Sequence, residues 1–356
     1  MTSASKRRII VAVLALATLG QSCSLSLGNS QPKDGGFYRT DDQAASWRQK
    51  TFIRTDKNRR VGLDDATVLF FQIDPKNSDR LYAGIRGLGL WTSTNRGDKW
   101  SVTGLKIGSY RCLSFDPKNE KILYIASGGQ IRKSFDQGKT WAVIYTEPQA
   151  GQTIECLTVD PSRDNVLWAV TSGGKVVRST DFGANWTLVN TVKQFTGILM
   201  MRIDPVTNGL VIFTNRRGIH RLDASGTQAT DMSAPLEVYK DARSIADVDW
   251  VVTPTGTRWY LATRYGVIYS ADSGTTWQAV STLLNPNSTA VANIAVNPSN
   301  PAEIFITTGR RLHRTVDGGA SWAITTFPST RQPVWLTFDP TNPDRLYVGT
   351  FVAEKK

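Results

Sequence analysis

The octapeptide Ser134-Phe135-Asp136-Gln137-Gly138-Lys139-Thr140-Trp141 decides the fold. Its pattern, Ser/Thr-x-Asp-x-Gly-x-x-Trp, returns at residues 179–186, 270–277 and 315–322. Two more copies are altered: residues 93–100 carry Asn95 in place of the Asp, and residues 40–47 carry Ala44 in place of the Gly. Each position has a local folding role. The side chain of Asp42, Asn95, Asp136, Asp181, Asp272 or Asp317 can accept from backbone N–H groups just beyond it and close a tight turn. The glycine suits a left-handed backbone that a Cβ resists. The hydroxyl can bond across the turn. The aromatic residue (Trp47, Trp100, Trp141, Trp186, Trp277 or Trp322) opens the next strand and is expected to bury a broad apolar face. These residues are therefore read as structural, not catalytic.

A second marker alternates with the first. It is a short apolar run ending in Asp-Pro, at Pro75, Pro117, Pro161, Pro205 and Pro340, with the variants Thr253-Pro254 and Asn297-Pro298 between. Successive prolines are 42, 44, 44, 49, 44 and 42 residues apart. After each comes a second apolar run, such as Arg80-Leu81-Tyr82-Ala83-Gly84, then a Gly-rich break and a third run leading into the Asp turn. Four short strands per repeat, seven times, predict an all-β fold: a single seven-bladed β-propeller of four-stranded antiparallel blades. A seventh Asp turn is due between Trp186 and Ser270. A worn one is present, keeping Gly226 but with Leu222, Ala224 and Ala229 at the other key positions. The chain ends are complementary. A third strand and an Asp turn open the domain near residue 36, and a first and a second strand close it near residue 350. Pairing these half-blades closes the ring without an open edge.

The repeats resemble those of the Asp-box (BNR) propellers. The phrase Asp339-Pro340-Thr341-Asn342-Pro343-Asp344-Arg345-Leu346-Tyr347-Val348-Gly349-Thr350 looks like the repeats of sortilin-type and oligoxyloglucan-hydrolase-type propellers. A single seven-bladed ring behind a lipoprotein-like signal also resembles the photosystem II stability/assembly factor group. The resemblance covers residues 36–352. It implies the fold and does not choose an activity, because these relatives include sialidases, xyloglucanases, sorting receptors and assembly factors.

Three segments are expected: a lipoprotein-type signal peptide (1–22), a flexible tether (23–35) and the propeller (36–354). Lys6, Arg7 and Arg8 precede an eleven-residue apolar run, 9–19, too short to span a bilayer. Leu19-Gly20-Gln21-Ser22-Cys23 resembles a lipidation signal with Cys23 as the modified residue; simple secretion and an uncleaved anchor are the alternatives. The protein is thus expected at the cell envelope, facing away from the cytoplasm. The remaining cysteines, Cys112 and Cys156, occupy matching places in successive repeats and are expected to be buried free thiols. His220 and His313 are the only histidines and lie in separate repeats. No metal site and no cofactor is expected.

The formal charge is +12, and removing residues 1–22 leaves +9 because that segment carries three cations and no acid. Such a balance favours acidic partners, anionic glycans or an anionic membrane. Nucleic acid is disfavoured by the export signal and by the absence of a recognisable binding module. Strand order places the Asp-Pro and Asp turns on one face. The second–third turns and the blade-to-blade crossings lie on the other, which is where a site is sought. Five of the seven second–third turns carry cations there: Arg86, Lys175, Arg216 and Arg217, Arg264, and Arg310 and Arg311. Arg54, Lys57, Arg59, Arg60, Arg111, Lys193 and Arg331 lie in crossings. Arg39, Arg178, Arg221 and Arg314, each just before the turn hydroxyl, read as part of the repeat.

Two functions follow. One is a non-catalytic, lipid-anchored, monomeric propeller that binds a protein partner of acidic surface through its basic face. The other is a carbohydrate-active or glycan-binding propeller. A glycosidase needs two facing carboxylates, and the weak candidates are Asp64 and Asp65, with Glu147, Asp241 and Asp247 also on the variable side. A sialidase would need an Arg-Ile-Pro motif, which does not occur.

Overall fold

The computed structural model describes residues 33–192, 197–253 and 256–351. The signal segment, Cys23 and Lys193 lie outside them. From the centre outward, blade 1 is Val68–Asp74, Asn77–Ile85, Gly89–Ser93 and Ser101–Val102. Blade 2 is Cys112–Phe115, Leu123–Ser127, Gln130–Ser134 and Ala142–Thr146. Blade 3 is Ile154–Val159, Leu167–Thr171, Lys175–Ser179 and Thr187–Thr191. Blade 4 is Ile198–Ile203, Leu210–Thr214, Gly218–Leu222 and Ala229–Asp231. Blade 5 is Ile245–Thr253, Gly256–Thr263, Val267–Ser270 and Gln278–Ala279. Blade 6 is Asn293–Val296, Ile304–Thr308, Arg311–Thr315 and Ala323–Thr326. Blade 7 joins the two chain ends: Gln332–Asp339 and Asn342–Phe351 from the C-terminal side, Phe37–Thr40 and Arg48–Gln49 from the N-terminal side. The seven-bladed ring and its closure by half-blades are as the sequence predicts.

The second strand of each blade is a continuous apolar run rather than an alternating one, because neighbouring blades cover both of its faces. Leu123, Tyr124 and Ile125 are fully buried, as are Leu167, Trp168 and Ala169, and Leu210, Val211 and Ile212. The outermost strands face water, and even their apolar residues, such as Val143 and Leu188, are exposed. The closing pair is fixed by Tyr38 opposite Val348 and Arg39 opposite Tyr347, and the Thr350 N–H donates to the Gly36 carbonyl at 2.9 Å.

The Asp turns have one geometry. At residues 134–141, Ser134 Oγ donates to Asp136 Oδ1 (2.8 Å) and accepts from the Gly138 N–H (2.8 Å). Asp136 Oδ1 also accepts from the Thr140 N–H (2.8 Å), and Oδ2 from its hydroxyl (2.6 Å). Two residues per turn are left-handed, not one: Gln137 (φ 61°) as well as Gly138 (φ 87°). Ala44 holds the glycine conformation at φ 69° despite its Cβ. These bonds favour the charged carboxylate. The Ser46 hydroxyl holds Asp42 down at about 2, and the Asn185 N–H holds Asp181 at about 2. In the worn turn the closing acceptor moves by one position: Asp223 Oδ1 accepts from the Gln228 N–H at 2.7 Å. The aromatic ends differ from expectation. Trp100 and Trp277 are buried, covered by residues outside the strands of their own blade (Phe37 stacks on Trp100 at 4.5 Å, and the Tyr239 hydroxyl donates to the Trp277 carbonyl), whereas Trp47, Trp141, Trp186 and Trp322 are half-buried.

Cations just before the turn hydroxyl tie four of the blades to the next. Arg39 Nη1 donates to the Arg96 carbonyl (2.8 Å), Lys133 Nζ to that of Phe182 (3.2 Å) and Arg221 Nη2 to that of Ser273 (2.6 Å). Each acceptor is the left-handed residue of the following Asp turn. Arg314 reaches the Gln43 side chain at the same place. Arg178, Arg314 and Lys133 also lie over the aromatic residue of the second strand of their own blade, at 4.9 to 5.5 Å, whereas Arg221 lies over Trp259 of the next blade, at 5.5 Å.

Inner strands are the free edges of their sheets, and side chains of the preceding blade cap them. Ser114 Oγ accepts from the Val159 N–H (3.0 Å), and Asp247 Oδ2 and Asp249 Oδ2 accept from the Ile294 (3.0 Å) and Val296 (2.6 Å) N–H groups. The expected free thiols are instead a disulfide. Cys112 and Cys156 lie on adjacent inner strands with Cα atoms 5.3 Å apart, close enough for a bridge across the blade 2–blade 3 seam. The sequence separates them by 44 residues, one repeat. The bridge forms because the two inner strands belong to different sheets and converge on the axis, which brings matching positions of successive repeats together.

Candidate functional site: the cationic turn face

The second–third turns leave the blades at the face opposite the Asp turns and carry the predicted cations. Each is short because a tight reversal is built in: Gly128 and Gly309, for example, are left-handed at φ 57° and 58°. The structure divides the cations into two groups. Arg216, Arg217, Arg264, Arg310 and Arg311 are exposed, and no acid lies within 4.0 Å of them among the described residues. Arg86 and Lys175 are half-buried. Arg86 sits 5.3 Å over the Phe351 ring, so it spans the closing gap that has no cation of its own.

Lys175 is neutralised. Its Nζ donates to Glu147 Oε1 at 2.7 Å, and the Tyr145 hydroxyl donates to Oε2 at 2.9 Å. Burial pushes the Glu147 pKa up, but the bonds from Lys175 and Tyr145 more than reverse this. Glu147, one of the carboxylate candidates, is thus the counter-ion of a predicted binding residue. Sequence reading placed both on the same side and missed the pairing, since 28 residues separate them. Arg331 is also absent from the exposed set: it is buried beside Asp34, at 3.6 Å.

Arg310 and Arg311 edge an open depression whose other lining residues are Thr289, Thr308, Gly309 and Thr326. Two guanidinium groups and three hydroxyls make it suited to oxyanions. Arg310 Nη1 also donates to the Ser329 carbonyl at 3.4 Å, which orients it toward the next crossing.

The remaining candidates have structural places. Asp64 accepts from Arg60 Nη1 with both carboxylate oxygens at 2.7 Å and also bonds Thr51. Asp65 is exposed and adjacent to it in the chain, so the two do not face each other across a cleft. Asp241 is exposed, at a left-handed position of the crossing between blades 4 and 5 (φ 63°). Asp247 is the inner-strand cap. Burial raises its pKa to about 7, against the pull of the Ile294 and Val248 N–H groups. Burial likewise raises Asp249. His313 is buried and bonded to Thr308 at 2.8 Å. Among the described residues no group of acids, histidines and cysteines could hold a metal ion.

The fold and this face define a class: a single-ring seven-bladed β-propeller with its unpaired charge on the turn side. No protein-family model matches the chain, and no curated protein does. Solved structures do. A GH74 enzyme of Niastella koreensis superposes with a TM-score of 0.64 at 19% identity, over 85% of this chain and 53% of that one. This chain therefore spans about half of that enzyme. YCF48 bound to D1 peptide matches with a TM-score of 0.59 at 16% identity, over 86% of this chain and 96% of that one. YCF48 from Cyanidioschyzon merolae matches at 0.60 and 12%, over 89% and 99%. At these identities the likeness establishes the fold alone.

Proposed function

We propose that this protein is a non-catalytic, exported, lipid-anchored propeller that binds a protein partner of acidic surface through its cationic turn face. The observation that carries the reading is the division of the cations. Arg39, Lys133, Arg221 and Arg314 of the repeat are tied to the next blade, whereas Arg216, Arg217, Arg264, Arg310 and Arg311 are held in the open on three successive blades with no acid within 4.0 Å among the described residues. Like charges brought round a ring repel one another and add nothing to stability. Export is supported by the Cys112–Cys156 bridge, since disulfides persist in oxidising compartments. A protein ligand is supported by the YCF48 structure, which matches this chain over nearly its whole length and whose name includes a bound peptide. The glycan-acting alternative loses Asp64 to its pair with Arg60.

The test is capture of partners by crosslinking in the host, followed by mass spectrometry. Changing Arg216, Arg217, Arg310 and Arg311 to Glu is expected to abolish capture while leaving the melting temperature unchanged. Undiminished capture by a folded variant would sink the reading.

A further inference from the structure

Between blades 7 and 1 the chain makes an element outside the propeller repeat, the hairpin Phe52–Asp56 with Arg59–Gly62. It forms a two-stranded sheet of its own; the Phe52 carbonyl at its foot accepts from the Trp100 N–H (2.8 Å), and beyond that contact neither outer edge is paired with another strand among the described residues. The ribbon is preformed. Lys57 and Asn58, at φ 44° and 61°, make the left-handed two-residue turn whose twist suits a hairpin. Its foot is locked by Arg60, which donates to Asp64 and, at 2.6 Å, to Thr51 Oγ1. Beyond the foot it is exposed and basic. Arg54, Lys57 and Arg59 have no acid within 4.0 Å among the described residues, and Asp56 stands opposite Arg59 in the register.

We infer that this hairpin is a docking strand: an extended acidic segment of a partner protein adds along its free edge as a third strand. Charges on an edge strand ordinarily prevent pairing with further copies. Here the cations Arg54, Lys57 and Arg59 outnumber the one acid, Asp56, so the ribbon repels a second copy of this +12 chain and accepts a strand of opposite charge. Backbone hydrogen bonds would supply affinity, and alternate acidic side chains would meet Arg54 and Arg59.

The foot of the hairpin is linked by hydrogen bonds to Arg310 at the edge of the depression, and the inference rests on the reading proposed above. Asp64 at its foot accepts from the Gly35 N–H (2.8 Å), the Asp34 carbonyl accepts from Ser329 Oγ (2.6 Å), and the Ser329 carbonyl accepts from Arg310. These bonds link the foot of the hairpin to Arg310.

The experiment uses the full-length protein and a fluorescein-labelled ten-residue peptide of alternating Glu and Val, read by anisotropy. The expected result is saturable binding. It is weakened at least tenfold by N-methylation of alternate peptide amides, and as much by Arg54→Glu with Arg59→Glu or by Thr55→Pro. Equal binding of the N-methylated peptide overturns strand addition, as does equal competition by an oligothymidylate of the same charge. Loss with Arg310→Glu and Arg311→Glu but not with the hairpin variants overturns this inference and leaves the basic-face reading standing. Loss with the hairpin variants alone supports the docking strand and removes Arg310 and Arg311 from the binding surface. No saturable binding overturns it.

Discussion

Replacing Arg221 by Ala tests whether the cations before the turn hydroxyl hold the ring together. Arg221 lies at the seam between blades 4 and 5, where the blade 4 Asp turn is worn. Its Nη2 donates to the Ser273 carbonyl at 2.6 Å and to Asp204 Oδ2 at 3.3 Å, and its guanidinium lies 5.5 Å from the centre of the Trp259 ring. The Arg221 side chain is 20% exposed and that of Asp204 is 0%. A hydrogen bond from a charged donor contributes about 1.5–3 kcal/mol, and a partly desolvated cation–π contact about 1 kcal/mol. Stranding a buried carboxylate costs about 3–5 kcal/mol when it loses its only partner. Asp204 keeps the Val206 N–H and the Thr207 hydroxyl, so that last cost is mostly avoided. The sum is about 3 kcal/mol, which for a domain of this size lowers the melting temperature by roughly 4–5 °C. Differential scanning calorimetry of the variant measures it directly. Arg221→Lys keeps the charge and loses the planar fork, so an intermediate loss is expected. Arg216→Ala, exposed in the same blade, is the control and should stay within about 0.5 kcal/mol of the parent. A melting temperature for Arg221→Ala matching that control would refute the interblade role.

Three other perturbations have definite outcomes. Ala44→Gly relieves a left-handed Ala and should stabilise the protein by about 1 kcal/mol, visible as a rise in the urea midpoint; a fall would mean that the methyl packing outweighs the strain. Replacing Cys112 and Cys156 by Ser opens a loop of one repeat, and chain entropy puts the loss near 4 kcal/mol; reductant should lower the melting temperature of the parent and not that of the variant. Asp247, raised from 3.8 to about 7 by burial, stabilises the fold in its protonated form. Its contribution is complete below the ordinary carboxylate pKa and is lost as pH rises through about 7. Stability of the parent should therefore decline between about pH 4 and pH 7, and Asp247→Asn should flatten that slope; an unchanged slope in the variant would assign the pH dependence to another group.

The sequence by itself determined the fold, because each propeller blade is a local unit. A turn such as residues 134–141 closes with bonds between residues no more than four apart, so its chemistry is written in adjacent letters. Blade number, strand order, the joined half-blades and the face carrying the loop cations all follow from counting such units. Only the tertiary structure decided what crosses between blades. Lys175 and Arg216 look alike in sequence, yet Glu147 neutralises the first and no acid among the described residues pairs with the second, since pairing depends on where a crossing returns. Cys112 and Cys156 became a bridge, and Asp247 and Asp249 became caps, because inner strands of separate sheets converge on the axis. The cations before the turn hydroxyl repeat visibly along the chain. Their acceptor is the neighbouring blade's turn, about one repeat away in sequence and one hydrogen bond away in space.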